Sequence, residues 1–378
     1  MGWQEVVGHK SQIEQFQRYL SSGRLASAFL FIGPDGVGKH FFARKLTQAL
    51  FCDVNPEQQC NPCGQCPSCQ QVMKGTHPDL HYVEVLSGSK EIRTAQIVGG
   101  TVKSKSSNEA DEYFPGICYE VNLKPIRSKR KVVIINDADT INATASANLL
   151  KTLEEPPPGA VILLIGTSLS QQIDTIISRC QVVTFNSLLP EQVQQILLAK
   201  QIVENPEQAR ELSMIANGSI GLASRYAQSE LLDTRRELLQ LLVALPEQPE
   251  RLSDFVTSFV SKKGDSRREV IQKMEFVSSV VVACFHQMAL RLSGQTATGD
   301  TTLMNTSREI ANAWQGDVET VLACIDRTLE TAFHAQKNAN VKTFVEAWVD
   351  DLSQIWIVGG FKLPTSWIPK KRPHPQNS

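Results

Sequence analysis

The sequence predicts an α/β fold in its first half, a parallel sheet with crossover helices, followed by an all-helical remainder. Three observations carry this. Ala28-Phe29-Leu30-Phe31-Ile32, Lys131 to Asn136 and Ala160 to Gly166 are short, continuous apolar runs separated by helical patterns. Strands of a parallel sheet covered on both faces read in this way. A glycine-rich octet, Gly33 to His40, lies between the first run and a helical pattern, and from about Pro190 the strand signals fade. One helical group then extends to about Ala227 and a second runs from Leu231 to Ile357.

At 378 residues the chain is too long for one ordinary core, so several domains are expected. With 42% hydrophobic residues, 20% charged residues and a net charge of -1, it reads as a soluble globular protein. No overall basic excess marks a nucleic-acid binder, and any DNA contact would be a local patch. The longest apolar stretch, Val277 to Leu292, is interrupted by Ser278, Ser279, His286 and Gln287 and reads as a buried helix. The opening residues show no basic leader or cleavage site, and a cytoplasmic location is expected.

The octet Gly33-Pro34-Asp35-Gly36-Val37-Gly38-Lys39-His40 has the context of a phosphate loop, strand before and helix after. Glycines let backbone amides face phosphates, and Lys39 supplies a charge. The eighth position of such loops is usually a Ser or Thr that binds magnesium. Here it is His40, and an imidazole is a poor magnesium ligand.

Of nine cysteines, Cys52, Cys60, Cys63, Cys66 and Cys69 crowd together, which favours a metal over disulfides in a chain of intracellular type. Cys63, Cys66 and Cys69, at two-residue gaps, suit a tetrahedral zinc ion that needs one further ligand. Cys52 or Cys60 must supply it, and spacing alone points to Cys60, which extends the rhythm. An iron–sulfur cluster would more typically end in a longer gap and a proline, whereas Gln70 follows Cys69. Four thiolates leave no open position, so the site is expected to be structural.

Residues 99–116, GGTVKSKSSNEADEYFPG, are polar and aperiodic and read as a mobile surface insertion. In KVVIINDAD the strand ends at Asp137, where a carboxylate can orient magnesium through water; the simpler reading is a strand-ending turn. The glutamate that often follows is replaced by Ala138, and Asp139 is one position too far along to stand in for it. Asn142 to Pro158 is a helix with an asparagine cap and a proline stop. Thr167 and Ser168 end the next strand, where a polar side chain can sense a γ-phosphate. Arg179, within Ser178-Arg179-Cys180, reads by itself as a solvated surface residue.

Taken in order, the phosphate loop, cysteine cluster, His77-Pro78-Asp79-Leu80, VVIINDAD, NLLKTLEEPP and Ser178-Arg179-Cys180 resemble the clamp-loader subunits of the AAA+ ATPases over roughly residues 1–225. The resemblance implies an AAA+ module over 1–186 with a zinc lobe at about 52–75. A small helical lid over 187–228, a helical collar domain over 229–361 and a disordered tail over 362–378 complete the expected organisation. It also implies that Cys52, at the end of the helix after the loop, is the first zinc ligand, although the slightly long gap to Cys63 keeps Cys60 open. ATP would meet Gly33 to His40, Asp137 and Thr167, and Arg179 would be an arginine finger reaching a neighbour's nucleotide.

His40, Ala138 and Gly221, the last standing where hydrolysing members carry a sensor arginine, point to a non-hydrolysing branch of that family. The implied partners are tau/gamma-like and delta-like subunits in a hetero-oligomer, the sliding clamp, and primed DNA through the complex. Two rival readings remain. One is a tau/gamma-like ATPase in which His40 or Asp139 compensates, and the other is a zinc-dependent nucleic-acid-binding protein with a vestigial loop. The apolar periodicity at Leu238, Leu239, Leu241 and Leu242, and at Val318, Val321, Leu322, Ile325 and Leu329, is core or assembly surface.

Overall fold

Every residue of the first apolar run, β1 (Ala28–Ile32), is buried, because successive side chains enter opposite layers of core. Phe29 and Phe31 pack into one layer with Phe16 and Phe42, whereas Ala28, Leu30 and Ile32 enter the other with Ile92 and Leu149. The computed structural model describes residues 2–86, 89, 91–102, 112–227, 231–261, 267–296, 299–335 and 340–358. The expected tail over 362–378 lies outside the described residues.

The chain divides into two compact units, Met1–Arg225 and Tyr226–Ser378. In the first, α1 (Lys10–Ser21) precedes β1, and α2 (Lys39–Phe51) follows the glycine-rich loop. Next come α3 (Pro67–Lys74), β2 (Leu80–Val83), α4 (Thr94–Val98), β3 (Gly100–Val102), β4 (Glu112–Phe114) and α5 (Ile117–Asn122). The sheet is completed through β5 (Lys131–Ile135), α6 (Ala143–Glu154), β6 (Ala160–Gly166), α7 (Asp174–Ile177) and β7 (Gln181–Thr184). Helices α8 (Pro190–Ala199), α9 (Pro206–Ile215) and α10 (Ile220–Ala227) follow, and the division between units falls inside α10.

Five strands form a parallel sheet in the order β2-β5-β6-β1-β7. β6 lies between the strand before the loop and the strand before Asp137, with Ile32 opposite Gly166 and Ile135 opposite Leu164. The carboxyl ends of β1, β5 and β6 therefore open side by side, the usual position of a ligand crevice in such sheets. The insertion expected to be a mobile surface loop has ordered ends. Gly100, Thr101 and Val102 pair antiparallel with Phe114, Tyr113 and Glu112, so backbone pairing defines its base without apolar periodicity. Residues 103–111 lie outside the described residues.

The second unit contains α11 (Leu231–Val243), α12 (Pro249–Val260), α13 (Arg267–Leu292), α14 (Thr301–Ala313), α15 (Val318–Ala335) and α16 (Val341–Val358). α13 carries the long apolar stretch and, among the described residues, is the one helix long and apolar enough by composition to cross a membrane. Half of that stretch is buried within the protein, where Met274, Val277, Val281, Phe285 and Met288 form the centre of the unit's core. In this unit Arg235 and Asp300 are a buried ion pair at 2.5 Å.

Candidate nucleotide site, metal centre and interface arginine

The glycine-rich loop turns tightly against the residue that follows β7 and the start of α10. A side chain at Gly33 would strike the Phe185 carbonyl oxygen, and one at Gly36, where φ is +73°, would strike the Ser219 hydroxyl. Lys39, buried at the start of α2, donates to the Gly33 and Pro34 carbonyls at 2.6 and 2.7 Å. Burial lowers its pKa, opposed by Asp35, Asp139 and Asp137. His9 donates from Nε2 to the Val37 carbonyl at 2.9 Å.

The Gly36 carbonyl accepts from the amides of Ile220 and Gly221 at 2.9 and 3.3 Å, tying the loop's tip to the start of α10. A Cβ on Gly221 would come within 3.2 Å of the Gly36 Cα. The site expected for a sensor arginine is thus held against the loop by backbone bonds.

A cleft of about 290 Å³ opens here, lined by Asp35 to His40, Asp137, Asp139 and Thr167 among others. Gly33 and Pro34 do not line it, since their carbonyls face Lys39. Val6, Val7, His9, Leu188, Ile196 and Lys200 also line it. No local motif marks them, because the fold gathers them from segments nearly two hundred residues apart.

His40 packs against Tyr82 with ring centres 5.9 Å apart. Desolvation and then the Arg44 guanidinium push its imidazole below the usual range. Asp137 is at the cleft's mouth in a left-handed turn, φ +53°. Desolvation, followed by the carboxylates of Asp35, Glu84 and Asp139, raises its pKa.

Asp139 is held by its neighbours at the cleft wall. Its Oδ2 accepts from the Thr167 amide at 2.7 Å and hydroxyl at 2.8 Å, and its other oxygen takes the Gln172 amide. The Thr167 hydroxyl also lies 2.8 Å from Gln171 Oε1. For ATP, the phosphate-holding parts fit, a loop with glycines and a lysine. The magnesium-holding parts fit poorly, because His40 replaces the hydroxyl ligand, and the γ-phosphate-sensing position, Thr167, is already engaged by Asp139 and Gln171.

The four thiols of Cys52, Cys63, Cys66 and Cys69 lie within 4.8 Å of one another. The Cys63 and Cys69 sulfurs are 4.0 Å apart. A tetrahedron with zinc–sulfur bonds of about 2.3 Å has edges of about 3.8 Å, so the donor set fits such an ion. Backbone amides approach the sulfurs: Asn55 to Cys52, Cys66 to Cys63, and both Asp53 and Cys69 to Cys66, at 3.3 to 3.4 Å. Burial works to raise the Cys63 thiol, but the Gln65 and Cys66 amides lead the donors that bring it down to about 7.

Cys60, the ligand that spacing favoured, is not in the cluster. It follows a 3-10 turn with φ +46°, and its side chain is fully buried in the sheet's core. Its carbonyl takes the Trp3 indole N–H at 2.5 Å, and burial pushes its thiol up to about 12.

The lobe is fastened to the module. Gln48 on α2 donates to the Cys69 carbonyl at 2.7 Å. Asp53 accepts from the Ser68 amide and hydroxyl and pairs with Arg127 at 3.4 Å. Asp79, fully buried in the His77-Pro78-Asp79-Leu80 segment, accepts the amides of Ile126, Arg127 and Ser128 and the Ser128 hydroxyl at 2.6 to 2.9 Å.

Arg179 follows α7 on the surface. Its Nε and Nη2 meet Glu154 Oε1 at 2.7 and 2.5 Å, and its Nη1 donates to the Thr175 carbonyl and Ser178 hydroxyl, both at 3.0 Å.

Together these features describe an α/β unit with a glycine-rich phosphate loop and a four-cysteine lobe whose thiols could hold a metal ion, followed by a helical unit. Residues 8–189 match the family described as DNA polymerase III, delta subunit. The chain is 30% identical over 229 residues to DNA polymerase III subunit delta' of Bacillus subtilis (strain 168), covering 61% of this chain and 62% of that one. It is 30% identical over 241 residues to the Pseudomonas aeruginosa subunit delta', covering 62% and 66%. Against DNA polymerase III subunit tau of Salmonella typhimurium it is 30% identical over 220 residues, covering 57% of this chain and 31% of that one. The chain is similar to these delta' and tau subunits of DNA polymerase III. It spans under two thirds of the length of these relatives.

Proposed function

We propose that this chain is a non-hydrolysing subunit of a DNA polymerase III clamp loader. With tau/gamma-like and delta-like subunits it would help open the sliding clamp and place it on primed DNA, in the cytoplasm. Its AAA+ module, helical lid and collar would serve assembly, with a structural zinc ion on Cys52, Cys63, Cys66 and Cys69. Arg179 would face a neighbour's ATP, where a guanidinium offsets the charge that develops on the transferred phosphoryl group.

The observation that carries this reading is the commitment of Asp139 to Thr167, at 2.7 and 2.8 Å. It removes the nearest candidate for a substitute base and engages the side chain that would sense a γ-phosphate. Of the rival reading in which His40 or Asp139 compensates, this counts against the part that relies on Asp139. Any nucleotide held by Gly33 to His40 would be scaffold, with Lys39 and the loop amides binding its phosphates.

The test is ATP turnover by the purified chain, with co-purification of its partners from native lysate. We expect background turnover and recovery of clamp-loader subunits. Turnover that disappears in Lys39→Ala would refute the reading.

A further inference from the structure

We propose that Glu154 is the positioning residue for Arg179, holding the guanidinium in the orientation from which it reaches a neighbour's phosphate. This rests on the finger assignment made above for Arg179.

Arg179 makes its other bonds within its own turn, to Thr175 and Ser178, so those contacts move with it. Glu154 is the partner from a separate element, the last residue of α6, and the prolines at 156 and 157 stop the helix immediately beyond it. One carboxylate oxygen receives both Nε and Nη2, at 2.7 and 2.5 Å. That contact along the guanidinium edge restricts its orientation more than a single contact at its tip would. Nη2 keeps a second hydrogen with no partner among the described residues, directed away from the edge Glu154 occupies.

The two side chains are 32% and 49% exposed, and an ion pair so open to water adds little to folding. Its physical effect is to restrict a long side chain that would otherwise sample many rotamers. A finger already oriented loses less freedom on meeting a phosphate. The pair also joins the segments LEEPP and Ser178-Arg179-Cys180, which are distant in sequence and which the sequence treats as separate motifs.

The experiment uses the full chain reconstituted with its ATP-hydrolysing partner subunits, clamp and primed DNA. Stimulated hydrolysis is measured for wild type, Glu154→Gln, Glu154→Asp, Arg179→Ala and the Glu154→Gln/Arg179→Ala double variant. We expect Arg179→Ala to lower kcat at the site it faces by about a thousandfold. Glu154→Gln should lower it about tenfold with KM for ATP unchanged, and Glu154→Asp should fall between Gln and wild type. The double variant should be no slower than Arg179→Ala, and thermal unfolding of Glu154→Gln should match wild type. If Arg179→Ala slows hydrolysis while Glu154→Gln leaves it unchanged or speeds it, the positioning role is refuted and the finger stands. If Arg179→Ala has no effect, the finger reading fails and the role of Glu154 fails with it.

Discussion

The Asp139 carboxylate accepts both the amide and the hydroxyl of Thr167, at 2.7 and 2.8 Å, across the boundary between β5 and β6. An acidic side chain beside a phosphate loop invites a catalytic reading, yet here it is a structural acceptor that also takes the Gln172 amide. We expect Asp139→Ala to cost about 1 kcal/mol, as an acceptor is lost from bonds that water partly replaces. Urea unfolding would measure this. The same variant should leave ATP turnover of the isolated chain at background, because His40 and Ala138 are unchanged; turnover above background would show that Asp139 had been suppressing a competent site.

The thiol cluster separates two cysteines that sequence spacing could not, taking in Cys52 and leaving out Cys60. Cys52→Ser should abolish zinc binding, read by elemental analysis of the purified protein, because it removes one corner of the thiol cluster. Cys60→Ser should retain the metal and instead lower stability by about 1–2 kcal/mol, since it places a hydroxyl in an apolar core. Zinc lost from the Cys60 variant alone would overturn the ligand set.

Much of the sheet is legible because β1, β5 and β6 are central strands, and burial on both faces writes them as unbroken apolar runs. β2 and β7 lie at the edges, four residues long, with His81 and Gln181 diluting the pattern, and give no such signal. The site divides in the same way. Lys39 and the loop glycines are contiguous and readable, whereas Val6, Leu188 and Lys200 join them only through the crossovers of the sheet. Cys60 misled the spacing argument because a ligand rhythm counts residues and ignores where the thiol points. Its left-handed turn directs the side chain into the core, away from the other thiols.

Asp79 illustrates a motif residue whose purpose only the fold discloses. Burial would raise its pKa, but the amides of Ile126, Ser128 and Arg127 and the Ser128 hydroxyl favour the ionised form and hold it below the usual carboxylate range. A carboxyl depressed in the folded state adds stability above its unfolded pKa of about 4 and loses it as pH falls through the lower folded value. Asp79→Asn should therefore be destabilised near neutrality by about 2 kcal/mol. The gap to wild type in urea unfolding should close as pH drops below about 4. A gap independent of pH would mean that the charge of Asp79 contributes nothing.

In the helical unit, Arg235 on α11 donates from Nη1 and Nη2 to the two carboxylate oxygens of Asp300, at 3.2 and 2.5 Å, and both side chains are nearly excluded from solvent. Asp300 also caps α14 by accepting the Leu303 amide at 3.2 Å. Removing one member of a buried pair leaves the other charged and unsolvated, which costs more than the pair itself contributes. Arg235→Met should thus lower the stability of this unit by about 3–5 kcal/mol. Arg235→Met combined with Asp300→Asn should recover part of that loss, because asparagine can still cap the helix without a stranded charge. Thermal unfolding of the two variants compares them directly. A double variant less stable than Arg235→Met would show that the carboxylate of Asp300 has a second role beyond its arginine partner.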